Sequence, residues 1–305
     1  MSTINSAGRV VVGVDGSSQS AVATEWAARR ALQLGTGLTL VLAMPPLQVP
    51  SRGSMMQMLR QSATDFTGKV LAAAQQRLDD AAAEVRAQHP ELDVEQALLE
   101  DSEPALALVH ATRDAALVVS GTRGLGAVKA MALGSVTRHL ISHAHGPVAV
   151  VPETGTAKDS RASGTVAVGV DDVNHSADTL RAAIEEASLT GGKLLVVHSW
   201  EYNPINVEGM PPMDPELFGQ VKDNHSAELD AFVRETLKGD PNFQVEVRVT
   251  LGDAGEALVG VSHEAELLVV GSRGGSALGG VLLGSTAAHV ARNAICPVLV
   301  IPRRR

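Results

Sequence analysis

Cysteine is almost missing from these 305 residues. Cys296 stands alone, which excludes an intrachain disulfide and fits a reducing compartment. Aromatic residues make up 2% of the chain, leaving few platforms on which single-stranded bases could stack. Positive charge is in deficit too. Lys and Arg number 25 against 34 Asp and Glu, a formal net charge of −9, and affinity for nucleic acid comes largely from cations that neutralise phosphates. No nucleic-acid partner is expected, and the terminal Arg303-Arg304-Arg305 reads as a solvated tail. No apolar run approaches the ~20 residues of a membrane span. The opening Met1-Ser2-Thr3-Ile4-Asn5 shows no basic stretch followed by an apolar one, so no secretory leader is expected. These absences predict a cytoplasmic protein with no membrane partner. What is present suffices for packed cores: 45% of residues are hydrophobic, and the length suits two domains of ~150 residues.

The chain repeats itself. Val10-Val11-Val12-Gly13-Val14-Asp15 returns as Val166-Ala167-Val168-Gly169-Val170-Asp171. Val118-Val119-Ser120-Gly121-Thr122-Arg123-Gly124 returns as Val269-Val270-Gly271-Ser272-Arg273-Gly274. Each copy closes alike, on Gly146-Pro147-Val148-Ala149-Val150-Val151-Pro152 and on Cys296-Pro297-Val298-Leu299-Val300-Ile301-Pro302. Residues 154–163, rich in Gly, Ser, Thr and charge, read as a linker between a domain over 1–153 and another over 164–305.

Within the first copy, β-branched runs at Val10–Val14, Leu38–Ala43, Val94–Leu99, Leu117–Ser120 and Val148–Val151 are continuously apolar, as strands covered on both faces should be. Between them, Ser20–Leu34 carries apolar residues at helical spacing, and Val70–Ala87 is Ala-rich with Glu, Gln and Arg. Ser102-Glu103-Pro104 reads as a cap and first-turn proline, and a fourth helix is expected over Ser135–His143. Met55-Met56-Gln57-Met58 reads as a covering loop or packing patch. The second copy gives the same series. This alternation predicts an α/β fold of two tandem, open, doubly wound parallel-sheet domains of five strands each.

In such sheets ligands bind beyond the carboxyl ends of the strands, where the strand order reverses. Two of those ends are marked. The first strand runs into Asp15, the lone acid of an apolar segment, with Ser17 or Ser18 placed to cap the next helix. The fourth runs into Gly121-Thr122-Arg123-Gly124, nine residues, then Gly134-Ser135 opening a helix. Glycines let backbone N–H groups approach an anion, and a helix N-terminus offers unpaired N–H groups to phosphate. The second copy repeats this with Gly271, Gly274, Gly284 and Ser285, while Arg123 and Arg273 lie in the loops where they could pair with phosphate. His139 and His143 stand one helical turn apart with His145 nearby, yet no Cys or acid completes a ligand set, and no metal is expected. There is no G-x-x-x-x-G-K-[S/T], no kinase motif set and no G-x-S-x-G elbow, and no evident general base is aimed at water. Binding is favoured over turnover.

G-x-x-G, nine residues, then G-[S/T], twice over and joined to the Val-Gly-Val-Asp opening and the Pro-Val ending, resembles the nucleotide-binding signature of the universal stress protein family. That resemblance implies the strand order 3-2-1-4-5 of an adenine nucleotide alpha hydrolase-like fold and a tandem protein of the ATP-binding type. It also implies a site in each half. Asp15 and Asp171 would face the nucleoside, and the backbone of Ala43 or His198 would meet the adenine edge. Gly121, Gly124, Gly134, Ser135 and Val136 would cradle ribose and phosphates in the first half; Gly271, Gly274, Gly284, Ser285 and Thr286 would do so in the second. Asp172, which follows Asp171 where Gly16 follows Asp15, would repel phosphate. The expected ligand is ATP, with Mg²⁺ as its counter-ion, and the expected role is a nucleotide-dependent regulator in stress adaptation. A slow ATPase or self-phosphorylating enzyme, a cyclic AMP binder and an interaction module using the same pocket are the alternatives. The halves are expected to form a pseudo-dimer through their closing strands, within a homodimer.

Overall fold

The computed structural model describes residues 4–46, 56–124, 133–153, 164–201, 214–237, 239, 241–273 and 283–303, with backbone alone at 56–66 and 215. The expected linker, Met55, Gly274 and the last two arginines lie outside them. Internal contacts divide the chain into two compact units, Met1–Glu153 and Thr154–Arg305.

Unit 1 runs β1 (Val10–Gly13), α1 (Ser18–Gln33), β2 (Leu38–Ala43), α2 (Met56–Gln88), β3 (Val94–Leu99), α3 (Pro104–Ala111), β4 (Leu117–Gly121), α4 (Ser135–His143) and β5 (Val148–Val151). The strands are all parallel, in the order β3-β2-β1-β4-β5, the reversal falling between β1 and β4. Val10, Val11, Val12, Val118 and Val119 are fully buried, since helices cover both faces of the sheet. Each such side chain contributes about 1.5–3 kcal/mol by leaving water. The apolar part of the face that α1 buries is Ala23, Ala27, Ala28 and Ala31, small enough for the helix backbone to lie close on the strands. Ser17 caps it, its hydroxyl accepting the Ser20 N–H at 3.1 Å.

Two helices begin differently from what the sequence predicts. The helix expected over Val70–Ala87 extends back to Met56, so Met56-Gln57-Met58 belong to α2 rather than to a loop. At α3 the capping position is Glu103, without a side-chain bond, while the Ser102 hydroxyl donates to the Glu100 carbonyl at 3.0 Å. Pro104 opens the helix, where the N–H it lacks would have had no partner.

Unit 2 repeats the plan as β6 (Thr165–Gly169), α5 (Ala177–Thr190), β7 (Lys193–Trp200), α6 (Pro215–Leu237), β8 (Gln244–Leu251), α7 (Ala254–Val261), β9 (Leu267–Gly271), α8 (Ser285–Asn293) and β10 (Val298–Ile301), in the parallel order β8-β7-β6-β9-β10. Each unit thus has the 3-2-1-4-5 order, and the α/β doubly wound class holds. Cys296 is a buried apolar residue just before β10, as its type and surroundings predict. Among the described residues no helix is long and apolar enough to cross a membrane.

Candidate functional site

Because β1 and β4 are neighbours, with Val12 beside Val119, the segments that follow them emerge side by side although about a hundred residues separate them. Between those segments, the end of β2 and the starts of α3 and α4 lies a cavity of about 570 Å³, within the range that suits a small-molecule ligand. Asp15, Ala43, Gly121, Arg123, Gly124, Gly134, Ser135 and Val136, all eight residues singled out in the first half, line it.

The described ends of the segment between β4 and α4 are tied together by their own polar groups. The Gly134 N–H donates to the Thr122 carbonyl at 2.8 Å, closing the loop on itself. The Thr137 hydroxyl, in the first turn of α4, donates to the Gly121 carbonyl at 2.7 Å and lies 3.0 Å from the Ser120 hydroxyl. The Thr122 hydroxyl donates to Gln19 Oε1 at 3.1 Å, anchoring the strand end to α1. α4 then begins at Ser135 with Gly134 in the capping position, so no side chain occupies the space before its first N–H groups. Ser135 and Val136, in that first turn, line the cavity, where unpaired N–H groups and the positive end of a helix dipole suit an anion.

Glycine is demanded by space. A Cβ on Gly124 would collide with Asp15 Oδ2, and one on Gly134 would stand 3.2 Å from the Thr122 carbonyl oxygen. Asp15 itself is oriented by the Ser17 N–H, which donates to its Oδ1 at 2.9 Å. Gly16 between them has φ +86°, a conformation that side chains resist, and its open side faces Arg77 on α2 rather than the cavity.

Sequence reasoning missed the apolar wall. Val41, Pro45, Pro104 and Leu108 line the cavity beside Ala43 and would flank a planar group. Val41 and Ala43 stand two apart on β2, so both point to one face, and the proline opening α3 was the other available signal.

In unit 2, the Gly284 N–H donates to the Ser272 carbonyl at 2.8 Å, matching the loop closure of unit 1, and α8 likewise starts without a side-chain cap. Gly271, Arg273, Gly284, Ser285 and Thr286 are thereby held at the corresponding places; Gly274 lies outside the described residues. Asp171 follows β6 as Asp15 follows β1. Two differences separate the units. The capping residue Ser17 stands two positions after Asp15, whereas Ser176 stands five after Asp171, so the turn is longer. Within it the Asp172 carboxylate accepts from the Asn174 N–H at 2.7 Å and pairs with His175 Nδ1 at 3.1 Å. These bonds, the backbone one foremost, hold its pKa below the usual carboxylate range. The charge set against phosphate is engaged within its own turn.

The second difference corrects the match made at strand two. Gly13 is in register with Val41 and Gly169 with Val197, so the counterpart of Ala43 is Ser199, not His198. A shift of one residue reverses the face. His198 corresponds to Leu42, and its ring lies 4.9 Å from that of His225 on α6, with Nδ1 donating to the Val170 carbonyl at 2.9 Å.

His139 and His143 stack with ring centroids 4.1 Å apart. Among the described residues no group of three or more His, Cys, Asp or Glu side chains is arranged to hold a metal.

Comparison with known proteins agrees with this fold. The sequence pattern described as the Universal stress protein family matches residues 7–152 and again 163–302. A universal stress protein of Mycolicibacterium smegmatis is 32% identical over 301 residues, covering 97% of each chain. A universal stress protein of Mycobacterium tuberculosis is 31% identical over 305 residues, covering 98% of each. The crystal structure of a universal stress protein from Archaeoglobus fulgidus superposes with a TM-score of 0.61 at 18% identity and covers 97% of both chains. With the pattern matched twice, across nearly the whole length, the chain belongs to the universal stress protein family.

Proposed function

We propose that this protein is an ATP-binding regulator in which the nucleotide sits in the cavity of unit 1, with a second, weaker site in unit 2. The observation that carries the reading is the convergence of eight sequence-marked residues on one cavity at the strand-order reversal, backed by the uncapped N-terminus of α4. The adenine ring would lie against Val41, Ala43, Pro104 and Leu108 at the mouth of β2. The ribose would face Asp15, and the phosphates would take the N–H groups of Gly124, Ser135 and Val136 together with Arg123. Gly124 supports this through Asp15, since a Cβ there would collide with the carboxylate that faces the cavity. Mg²⁺ would come with the ATP as its counter-ion, from solvent rather than from a protein ligand set.

Binding without rapid turnover fits the wall chemistry. Among the described lining residues Asp15 is the sole carboxylate, there is no imidazole, and Asp15 Oδ1 already accepts the Ser17 N–H. ATP would then act by favouring one of two conformations or partner states, through its difference in affinity for them. Assembly as a homodimer and a cytoplasmic location belong to the same proposal.

Titration of the full chain with ATP tests it. Wild type is expected to bind, and Gly124→Ala, which turns Asp15 aside, to lose at least tenfold in affinity at one site without loss of fold. Equal affinity in wild type and Gly124→Ala would place the nucleotide elsewhere.

A further inference from the structure

The sheet of unit 2 ends on β8, and among the described residues no strand lies beyond it. In a parallel pair, alternate residues turn their N–H and C=O toward the neighbouring strand. Gln244 donates its N–H to the Gly192 carbonyl at 3.1 Å, and Gly252, just past the strand, donates to Trp200 at 3.0 Å, so the even-numbered residues of β8 bond to β7. The main-chain groups of Val245, Val247 and Val249 therefore point outward, at the open edge. That edge is apolar as well, for Val245 and Leu251 are 37% and 50% exposed. Between the valines stand Glu246 and Arg248, on the opposite face. An eight-residue strand with outward main-chain groups and uncovered apolar side chains is a template for another strand.

We propose that this edge docks a second copy of the chain, β8 against β8, antiparallel about a two-fold axis at Val247. It rests on the homodimer of the reading above and makes no use of the nucleotide. In this register the strand is complementary to itself: Val245 faces Val249 of the second copy, and Glu246 faces Arg248, each twice over. Moving the axis to Glu246 or Arg248 sets like charges against each other. Moving it to Val245 or Val249 leaves both charges unopposed. With the axis at Val247, that residue exchanges both main-chain bonds with its copy and each Val245–Val249 pair exchanges two more, about six in all. Charges on an edge strand commonly keep other strands away; here their symmetry about Val247 admits a copy of the same strand. Both side chains are already held in place, Glu246 by Lys193 and Arg248 by Glu264. Unit 1 provides the internal contrast. Its edge strand, β3, carries Glu95 directly after Asp93 and Val94 and has no cation to offer a copy of itself, and Arg9 closes on the two acids at 2.6 and 3.6 Å.

Sedimentation of the full chain tests it. Wild type is expected to self-associate. Glu246→Lys makes the charges of the strand wholly positive and Arg248→Glu makes them wholly negative, so each alone is expected to weaken self-association by about tenfold or more and to sediment at half the wild-type mass. Mixed in equal amounts, the two should return to the wild-type mass, since each then meets the opposite charge at both positions. Val247→Pro deletes an outward N–H that β7 does not use, and should dissociate the assembly with little change in thermal unfolding. Variants that keep the wild-type mass, or a mixture of folded variants that stays at half of it, overturn this surface while leaving the homodimer standing. A monomeric wild type removes both and leaves the edge to a strand of another protein.

Discussion

Thr137 joins the two halves of the candidate cradle: it is buried in the first turn of α4, and its hydroxyl donates to the carbonyl at the end of β4. Valine is nearly the same shape and cannot donate, so Thr137→Val leaves the Gly121 carbonyl short of a buried bond. The expected cost is about 1–3 kcal/mol of unit 1 stability, together with weaker ATP binding, read by chemical denaturation and titration. An unchanged denaturation midpoint would show that Ser120, also 3.2 Å from that carbonyl, suffices alone. Cys296 permits a second measurement at this scale. Burial pushes its thiol up to about 12, so it is neither exposed nor ionised at pH 8. Reaction with a thiol reagent should therefore follow the unfolding of unit 2, slow in the native protein and complete in denaturant. Labelling of the native chain at the rate of a free thiol would contradict that placement.

At the scale of elements, β8 is tied to its neighbours by charge. Glu246 pairs with Lys193 on β7 and with Arg248 at 2.9 Å, and Arg248 reaches Glu264 at 3.0 Å. Hydrogen bonds from Lys193 and Arg248 hold Glu246 below the usual carboxylate range, and that from Arg248 does the same for Glu264. A depressed carboxylate stabilises the fold above its unfolded pKa, about 4.3, and this is lost as pH falls through the lower folded value. The groups are partly exposed, so screening limits the network to about 1 kcal/mol. Arg248→Gln should accordingly be less stable than wild type at pH 7, with the difference shrinking as pH falls through the lowered folded-state values of the two carboxylates. A gap that persisted into acid would mean that packing, not charge, separates the two.

The strands and α4 were legible because each is a short apolar run or an amphipathic stretch bounded by Gly, Pro or Ser. The early start of α2 was not, since Met56-Gln57-Met58 carries no capping signal and reads equally well as a covering loop. His198 was misaligned for a related reason. Matching the ends of two repeats does not fix the register within them, and only the pairing of Gly169 with Val197 shows that Ser199 takes the place of Ala43. The longer turn before α5 was likewise hidden, because Asp172-Val173-Asn174-His175 has no counterpart from which its length could be read. The apolar wall escaped notice because Val41 and Leu108 look like ordinary core residues until the cavity beside them is seen.

Across the whole molecule, one plan is used twice with different details. Both units close the loop after their fourth strand with the same N–H to carbonyl bond, and both leave the following helix uncapped. Unit 1 has a short turn after Asp15; unit 2 has a longer one after Asp171, holding Asp172 with its pKa below the usual carboxylate range. The two proposed sites are therefore expected to differ in affinity, the tighter in unit 1. The most direct measurement is the nucleotide content of freshly purified protein, released by acid and identified by mass. An adenine nucleotide is expected at about one per chain, held in unit 1 and missing from Gly124→Ala, with a second equivalent taken up when ATP is added in excess. Protein that is purified empty, and that then fails to bind added ATP, would contradict it.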